Sequence, residues 1–571
     1  MVLFEFITNF PSSLLFDIGL MIIIVTLVAI IARTFRQPLV PAYVITGILI
    51  GPLVLGLIKD SADIRALSEI GIAFLLFLVG LEIDIKKLKD IGPVAVLGGL
   101  LQVLITYLLA FYASIKLGFS QIDAIYLGLA LAFSSTLIVI KVLSDREELD
   151  TLHGRIVLGI LLLQDLVVII ALGFLDKIGT NISINAILQP ILQVLVLVFI
   201  AVLFNKLIFN WLFDFVARSK ELLFLTAVSV AFTFALFAYS LGTSITIGAF
   251  FAGVALASLP YHIDIIGRVS PLKDFFSIIF FVSLGMQFVL INFLSLWKPI
   301  LVLLTIILLA KPFIIFLITL LFGYDKRISF LSGISLAQIS EFSLILIAAG
   351  YTMGHVSKEV LSLVIFLAIV TITLTSYLID FENKIYLLLS KFLSLFERFQ
   401  FNKLKLHYLE RSHKKSIILI GCHRMGGIFL DTIKRLDKNF LVIDNNPDII
   451  KSLIKDKISC MYGDIMNEEI LDNIDFSNVK FLISTSHEEE ANLFLIKRVK
   501  KIKPRAKIFV TASHLPEAFR LYKAGADYVI LPQILSGERI ATLLRRIVKK
   551  EKNLREIRNK HIKYLEKMFY E

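Results

Sequence analysis

Thirteen apolar runs follow one another through the first 380 residues of this 571-residue chain. Each is near the roughly 20 residues that a helix needs to cross a bilayer. They lie at about 13–32, 39–57, 66–83, 93–115, 122–142, 155–175, 186–210, 221–241, 244–259, 274–292, 297–323, 329–350 and 358–379. The runs are continuous rather than alternating, which predicts spanning helices and not the strands of a barrel. Over the whole chain 57% of residues are hydrophobic and 18% charged, against about 25% charged in soluble domains. That excludes an ordinary soluble enzyme and a disordered chain. Two cysteines exclude a disulfide scaffold.

The formal charge of +12 raises the question of nucleic acid or anionic lipid, and its distribution answers it. Residues 1–380 hold 22 Lys+Arg and 23 Asp+Glu; residues 381–571 hold 36 and 23. The apolar part is nearly neutral, and the excess lies in the last third. The start, with Glu5 and no basic region, carries no sign of a cleavable signal peptide.

Alternate connections between runs, beginning with the one after the first run, carry fourteen Lys and Arg, among them Arg33, Lys86, Arg146, Arg268 and Arg327. The other set carries six. The positive-inside bias puts the first set in the cytoplasm, the N-terminus outside and the basic C-terminal third inside. Next to an anionic leaflet, that excess reads as membrane proximity and nucleotide handling, with no nucleic-acid partner.

Three charges sit deep in the runs: Asp165, Lys311 and Glu341. Each costs at least about 2.5–3.5 kcal/mol at a helix centre unless paired or hydrated. Each reads either as a buried pair that fixes packing or as part of an ion path. Run 5 carries Ser134-Ser135-Thr136 at mid-depth, and run 12 carries Ser332, Ser335, Gln338, Ser340 and Glu341. These clusters are either ordinary helix–helix contacts or a pair of discontinuous helices whose half-helix ends offer partial charge to an ion. With run 7 as a linker, runs 1–6 and 8–13 form two halves. Both polar runs are fifth in their half, and the second half is inverted. Such symmetry favours interrupted helices at a transporter's binding site, with Gln164 and Asp165 one run later, beside the crossing.

These stretches carry a resemblance. Leu76-Phe-Leu-Val-Gly-Leu-Glu-Ile-Asp, Ser134-Ser-Thr, Leu158-Gly-Ile-Leu-Leu-Leu-Gln-Asp, Gly248-Ala-Phe-Phe-Ala-Gly-Val, Phe281-Val-Ser-Leu-Gly-Met and Gln338-Ile-Ser-Glu-Phe resemble, in order, the monovalent cation:proton antiporters of the Kef type. The resemblance implies a sodium/proton exchanger-like fold with inverted repeats and crossed broken helices. It implies ion or proton binding at Asp165 and Gln164, with Lys311 matching a lysine in the span before the second broken helix. Ser134, Ser135, Thr136, Gln338 and Glu341 complete the candidate ion site. Sodium-selective relatives often carry two adjacent acids, so Gln164 leans toward K⁺. One carboxylate can hold a proton or a hard cation but not both, and one acid at that position predicts one-for-one, electroneutral exchange.

From Lys415 the pattern changes. Ser416-Ile-Ile-Leu-Ile reads as a strand, Gly421-Cys-His-Arg-Met-Gly-Gly as a turn opening a helix, and Phe440-Leu-Val-Ile-Asp444 as a second strand ending in an acid. This is a βαβ unit with a glycine turn, although His423 stands where the middle glycine of the fingerprint would be. Further alternation through Asp464, Ser484, Thr485 and Ala526-Asp-Tyr-Val-Ile-Leu-Pro predicts a doubly wound parallel sheet. The stretch resembles the nucleotide-binding regulatory domains of potassium transporters and channels (KTN, RCK or TrkA-N). The resemblance implies phosphate contacts at Gly421, His423, Arg424, Met425 and Gly426, ribose contact at Asp444, and Asp464, Ser484 and Thr485 near the base. It further implies NAD(H) or AMP as regulatory ligand, a homodimer and an ancillary subunit. Cys422 and Cys460 read as reduced, inert residues of a cytosolic domain.

The expected fold class is thus a polytopic α-helical membrane protein of 13 spans plus a C-terminal α/β Rossmann-like domain. Residues 1–380 form the exchanger, 381–414 an amphipathic linker, 415–540 the nucleotide domain and 541–571 a helical basic tail. The expected function is K⁺/H⁺ exchange across the cell membrane, not enzymatic catalysis. Alternatives are Na⁺/H⁺ exchange, a ligand-gated K⁺ channel, disfavoured because no Thr-Val-Gly-Tyr-Gly filter is present, and a tethered dehydrogenase, which lacks a substrate lobe.

Overall fold

The structure is a computed structural model. It describes residues 14–571 apart from 36, 59–61, 83–93, 147, 150, 176–183, 290–292, 400–406, 409–414, 423–424, 438, 464–470, 472–473, 549–553, 556, 560 and 564–571. The chain divides into two compact units, Met1–Lys403 and Leu404–Glu571.

The first unit is helical. In order its helices are α1 Leu14–Thr34, α2 Leu39–Ile50, α3 Ala62–Glu82, α4 Gly99–Lys116, α5 Gln121–Ala132, α6 Thr136–Asp145, α7 Leu152–Phe174, α8 Ile184–Phe204, α9 Asn210–Val216, α10 Lys220–Ser240, α11 Ile245–Ala257, α12 His262–Met286, α13 Phe293–Thr305, α14 Lys311–Leu321, α15 Lys326–Ser335, α16 Glu341–Thr352, α17 Lys358–Asp380 and α18 Glu382–Leu393. Wider π-turns join α8 to α9 and α13 to α14, and another opens α4 at Val94–Gly98. Every apolar run of the sequence overlaps one helix or two consecutive helices. Among the described residues, ten segments are long and apolar enough to cross a membrane; Leu39–Ile50, Ile245–Ala257 and Glu341–Thr352 are apolar but shorter.

Three expectations change. Run 2 gives only the 12 residues of α2, about 18 Å long, because Gly51-Pro52 breaks the hydrogen-bond ladder. Thirteen full-length helices are therefore not what the runs become. Run 7 continues past residue 210 to Val216, since its π-turn absorbs Asn205 and Lys206 without ending the helix. Run 10 begins at His262, twelve residues before its apolar core, with Pro271 inside the helix.

Two crossings hold the helices at backbone contact. A Cβ on Gly47 or Gly285 would strike the backbone of the opposite helix, which locks α2 against α12. Gly80 and Gly253 do the same for α3 and α11. In lipid, such small-residue contacts let dispersion replace the missing hydrophobic drive. Matching each run to the one seven later turns the α2–α12 crossing into the α11–α3 crossing. The two glycine pairs are thus equivalent under the symmetry read from the sequence.

The second unit is a seven-stranded sheet in the order β1-β4-β3-β2-β5-β6-β7. Its strands are β1 His407–Tyr408, β2 Ile417–Ile420, β3 Phe440–Asp444, β4 Cys460–Tyr462, β5 Phe481–Ser484, β6 Lys507–Thr511 and β7 Tyr528–Ile530. All pairings are parallel except the edge pair β1–β4. Ile417–Ile420 and Phe440–Asp444 are buried throughout, as central strands covered on both faces require. The helices are α19 Met425–Leu436, α20 Pro447–Lys455, α21 Glu489–Ile502, α22 Leu515–Ala524 and α23 Pro532–Val548. The strand order reverses at β2, so a crevice lies beyond its carboxyl end, where such sheets bind ligands.

Overpacking a backbone-to-backbone contact costs about 1–3 kcal/mol. Gly253→Val is therefore expected to lower the thermal unfolding midpoint in detergent, whereas Gly267→Ala, with open space around its Cβ position, leaves it unchanged or raises it. Equal midpoints for wild type and Gly253→Val would contradict the packing described.

Candidate functional site

Runs 5 and 12 are both interrupted. Residues 133–135 separate α5 from α6, and residues 336–340 separate α15 from α16. Interruption frees carbonyls and N–H groups in a place without bulk water, where each orphan costs about 1–3 kcal/mol. The two breaks meet and satisfy each other. Ser134 Oγ donates to the Leu336 carbonyl at 2.9 Å, and Gln338 Nε2 donates to the Ser135 carbonyl at 3.3 Å. Lys311 Nζ joins both breaks, donating to the Phe133 carbonyl at 2.7 Å and the Gln338 carbonyl at 2.8 Å. Its partners here are carbonyl oxygens, not carboxylates. An ammonium at the carboxyl ends of two half-helices opposes their negative partial charge. The π-turn Ile306–Ala310 immediately precedes Lys311, and Gly333 lets α15 approach the Pro312 carbonyl closely.

The carboxylates lie on the other side of the crossing. Asp165 is 5% exposed and accepts from Thr136 Oγ1, at 3.1 Å to Oδ1 and 3.0 Å to Oδ2. Thr136 is the first residue of α6, so the acid sits beside a helix N-terminus. Glu341 is the first residue of α16 and accepts from Ser135 Oγ at 2.6 Å. Two consecutive hydroxyls thus bridge Asp165 to Glu341 across the crossing. The Gln338 Oε1 acceptor and the Ser332 and Ser343 hydroxyls are buried without a hydrogen-bond partner. All eight residues of the predicted ion site, Ser134, Ser135, Thr136, Gln164, Asp165, Lys311, Gln338 and Glu341, fall in this one network.

Sequence reading missed Gln102, which is fully buried. Its Nε2 donates to the Ala132 carbonyl at 3.0 Å, and its Oε1 accepts from Gln164 Nε2. Gln164 Oε1 in turn accepts the Ser134 N–H at 2.8 Å. Run 4 matches run 11 in the repeat, so Gln102 and Lys311 lie on corresponding segments, and each donates to a carbonyl at the end of α5. Run 6 matches run 13 in the same way. Thr371 Oγ1 accepts the Ile339 N–H at 3.3 Å, as Gln164 does for Ser134, and Thr375 Oγ1 donates to the Ala337 carbonyl at 2.8 Å. A lone Gln in an apolar run, in the run that matches the lysine-bearing one, was the available signal.

A cavity of about 1050 Å³ lies in the same unit, lined among others by Arg65, Glu69, Tyr239, Gln287, Leu172 and Ile345. Leu172 lies two turns past Asp165 on α7 and Ile345 one turn past Glu341 on α16.

In the second unit, Gly421 follows β2 with φ +80, a left-handed conformation that glycine adopts without strain. A Cβ on Gly426 would collide with the Gly421 carbonyl, so the turn closes tightly onto the start of α19. Asp444, at the end of β3, accepts the Cys422 N–H at 2.5 Å and the Asn446 N–H at 2.7 Å. Thr485 Oγ1 lies under the turn, 3.1 Å from the Gly421 carbonyl. Ser484 is fully buried and donates to Asn492 Oδ1 at 2.7 Å. That commits its hydroxyl to the core, away from the role given to it above. Met425 is the first residue of α19. His423, Arg424 and Asp464 lie outside the described residues. Burial, and then Asp444, push the Cys422 thiol up to about 12, so it stays protonated and unreactive.

The fold and site define a secondary transporter with a Rossmann-like appendage, and comparison with known proteins agrees. Residues 21–381 match the sodium/hydrogen exchanger, transmembrane family, and residues 417–532 match the TrkA-N domain. The chain belongs to the sodium/hydrogen exchanger family. It is 32% identical over 349 residues to K(+) efflux antiporter 5 of Arabidopsis thaliana, covering 59% of this chain and 60% of that one. It is 27% identical over 530 residues to the putative cation/proton antiporter YbaL of Escherichia coli K12, covering 89% and 93%. The glutathione-regulated potassium-efflux system protein KefC of Escherichia coli O139:H28 is 26% identical over 497 residues, covering 85% and 77%. The chain thus spans about 60% of the length of the Arabidopsis relative and nearly all of YbaL. The Kef-type resemblance read from the motifs holds.

Gln102→Leu orphans the Ala132 carbonyl and releases Gln164. A loss of about 1–3 kcal/mol is expected, read as a lower unfolding midpoint. A fully stable Gln102→Leu protein would show that this amide does not hold the break.

Proposed function

We propose that the protein exchanges K⁺ for H⁺ by alternating access across a cell membrane, under control of a nucleotide bound to its second unit. The observation that carries this is Asp165, a buried acid held by Thr136 at a helix N-terminus and flanked by Gln164 at two crossed, interrupted helices. Its carboxylate takes a proton or a cation, never both. Hydroxyl, amide and carbonyl oxygens nearby complete the shell of a dehydrated cation. Lys311 and Gln102 tie the breaks in place, so the oxygens stay aimed as occupancy changes. Competition at one acid, with access from one side at a time, enforces exchange. The names of the relatives, K(+) efflux antiporter, cation/proton antiporter and potassium-efflux system, support the same reading.

The basic loops support thirteen crossings with the N-terminus outside and the second unit in the cytoplasm. The cavity lined by Arg65 and Glu69 then serves as the external approach to the site. NAD(H) or AMP is the ligand that suits the glycine turn, with phosphates at the start of α19 and a ribose hydroxyl at Asp444. A homodimer and an ancillary subunit belong to the same reading.

Proteoliposomes carrying the protein, loaded with a pH indicator and challenged with K⁺ or Na⁺, test it. Proton flux is expected with K⁺ in preference to Na⁺, to be insensitive to voltage, and to vanish in Asp165→Asn. Full exchange in Asp165→Asn would refute the mechanism; equal or better flux with Na⁺ would assign the protein to Na⁺/H⁺ exchange. Calorimetric titration of the full chain with NADH or AMP is expected to show binding weakened about tenfold in Asp444→Ala, the loss of one charge-assisted hydrogen bond. Unaltered affinity would remove Asp444 from the nucleotide site.

A further inference from the structure

Past α17, one short stretch of chain lies on the ends of both interrupted helices that are remote from the crossing. Arg146 is the C-cap of α6. Its Nη1 donates to Glu382 Oε1 at 2.7 Å, and its Nη2 to the Ile379 carbonyl at 2.8 Å and Asp380 Oδ1 at 3.1 Å. Arg327, the second residue of α15, donates from Nη2 to Asn383 Oδ1 at 2.7 Å, and its guanidinium lies 5.8 Å from the Tyr386 ring centroid. Lys326 Nζ donates to Ser394 Oγ at 3.0 Å. Phe396 packs edge-on against Phe313 and Phe316 of α14, the helix that begins with Lys311. Residues 379–396 therefore grip α6, α15 and α14 at once.

Each gripped helix ends at the ion site. Arg146 stands ten residues from Thr136, and Arg327 nine from Leu336, each about 15 Å along its helix. Helices this short move as rigid rods, so a shift at one end reaches the other. Stability alone does not explain the pairing, because a buried ion pair such as Arg146–Glu382, with the carboxylate side chain 4% exposed, is often no more stabilising than apolar packing.

We propose that Arg146 and Arg327 are positioning residues for cation exchange. By tying the remote ends of α6 and α15 to residues 379–396, they set where Thr136 and Gln338 stand, and they pass to the ion site any pull on the chain that runs on into the second unit. This rests on the exchange function proposed above and names the route by which that site is controlled.

The grip responds to pH. Glu382 lies past the last span and faces Glu148 and His153, which are paired at 3.2 Å, together with Arg146, Arg327 and Asp380. Burial, with Glu148 adding to it, pushes the Glu382 carboxyl up to about 7 against the opposing pull of His153, Arg146 and Arg327. Released into water it would return to about 4.3. Between these values the docked segment binds a proton that the released one does not. Docking is therefore favoured as pH falls through 7 and weakened as pH rises.

The full chain in proteoliposomes tests the proposal. Arg146→Ala and Glu382→Ala are each expected to raise the cation KM or lower the maximal rate by about tenfold, and the double variant to lose no more than about threefold beyond the worse single. Arg146→Lys, which keeps the charge and loses the fork, falls between wild type and Arg146→Ala. Single variants that melt earlier yet exchange normally would overturn the proposal, as would a double variant whose losses simply multiply. Absence of exchange in the wild type would sink the functional reading and this inference with it; normal wild-type exchange with unaffected single variants sinks this inference alone. Amide hydrogen exchange gives a readout independent of transport. Protection of α18, corrected for intrinsic rate, is expected to rise as pH falls from about 8 to about 6 and to be flat in Glu382→Gln. A flat wild-type profile contradicts the pH response.

Discussion

Unpaired backbone in an apolar medium is the constraint on which the first unit depends. Two helices are broken at mid-depth, and every group freed by the breaks must find a partner inside the protein. The structure meets this by crossing the two breaks, so that Ser134 of one break donates to a carbonyl of the other, and Gln338 of the second donates to a carbonyl of the first. Lys311 from one half and Gln102 from the other secure the join. Once the breaks are held, the half-helix ends become an asset. Amino ends face Asp165 and Glu341, and carboxyl ends face the lysine. The same geometry that satisfies the backbone also gathers Asp165, Glu341 and their hydroxyl partners at the crossing, the place where the proposed competition between proton and cation would occur.

Much of this was legible in the sequence because membrane constraints leave strong marks. Apolar length fixed the helices, and hydroxyl clusters in two runs gave away the breaks. Matched positions in two halves place Gln164 and Asp165 beside the crossing from sequence alone. What stayed hidden has physical causes. Gln102 carries no charge, so it does not stand out as a cost in a hydrophobic run. Leu39–Ile50 and Ile245–Ala257 are shorter than their apolar runs, because hydropathy measures solvent preference and not where a backbone ladder ends. The glycine pairs at Gly47–Gly285 and Gly80–Gly253 depend on three-dimensional proximity that no local pattern encodes. In the second unit Ser484 followed the family pattern in sequence, yet Asn492 claims its hydroxyl in the core.

The two units meet different demands with the same device. In the first, helix termini face ionisable side chains at a crossing. In the second, a helix terminus follows a tight glycine turn at the point where strand order reverses. Among the described residues, 379–396 are the last of the first unit with printed contacts to helices that bear on the ion site. On the proposal above, control needs no long network, because two half-helices of ten residues and one lysine-bearing helix separate this segment from the crossing.

The proposed exchange depends on competition between a proton and a cation at Asp165. The most direct measurement is the apparent KM for K⁺ as a function of pH on the cation-loading side. Competition at one acid predicts a KM that rises about tenfold for each unit of acidification below the carboxyl's own pKa, with an unchanged maximal rate. A KM for K⁺ that stays constant across that range, with only the maximal rate responding to pH, would contradict the account.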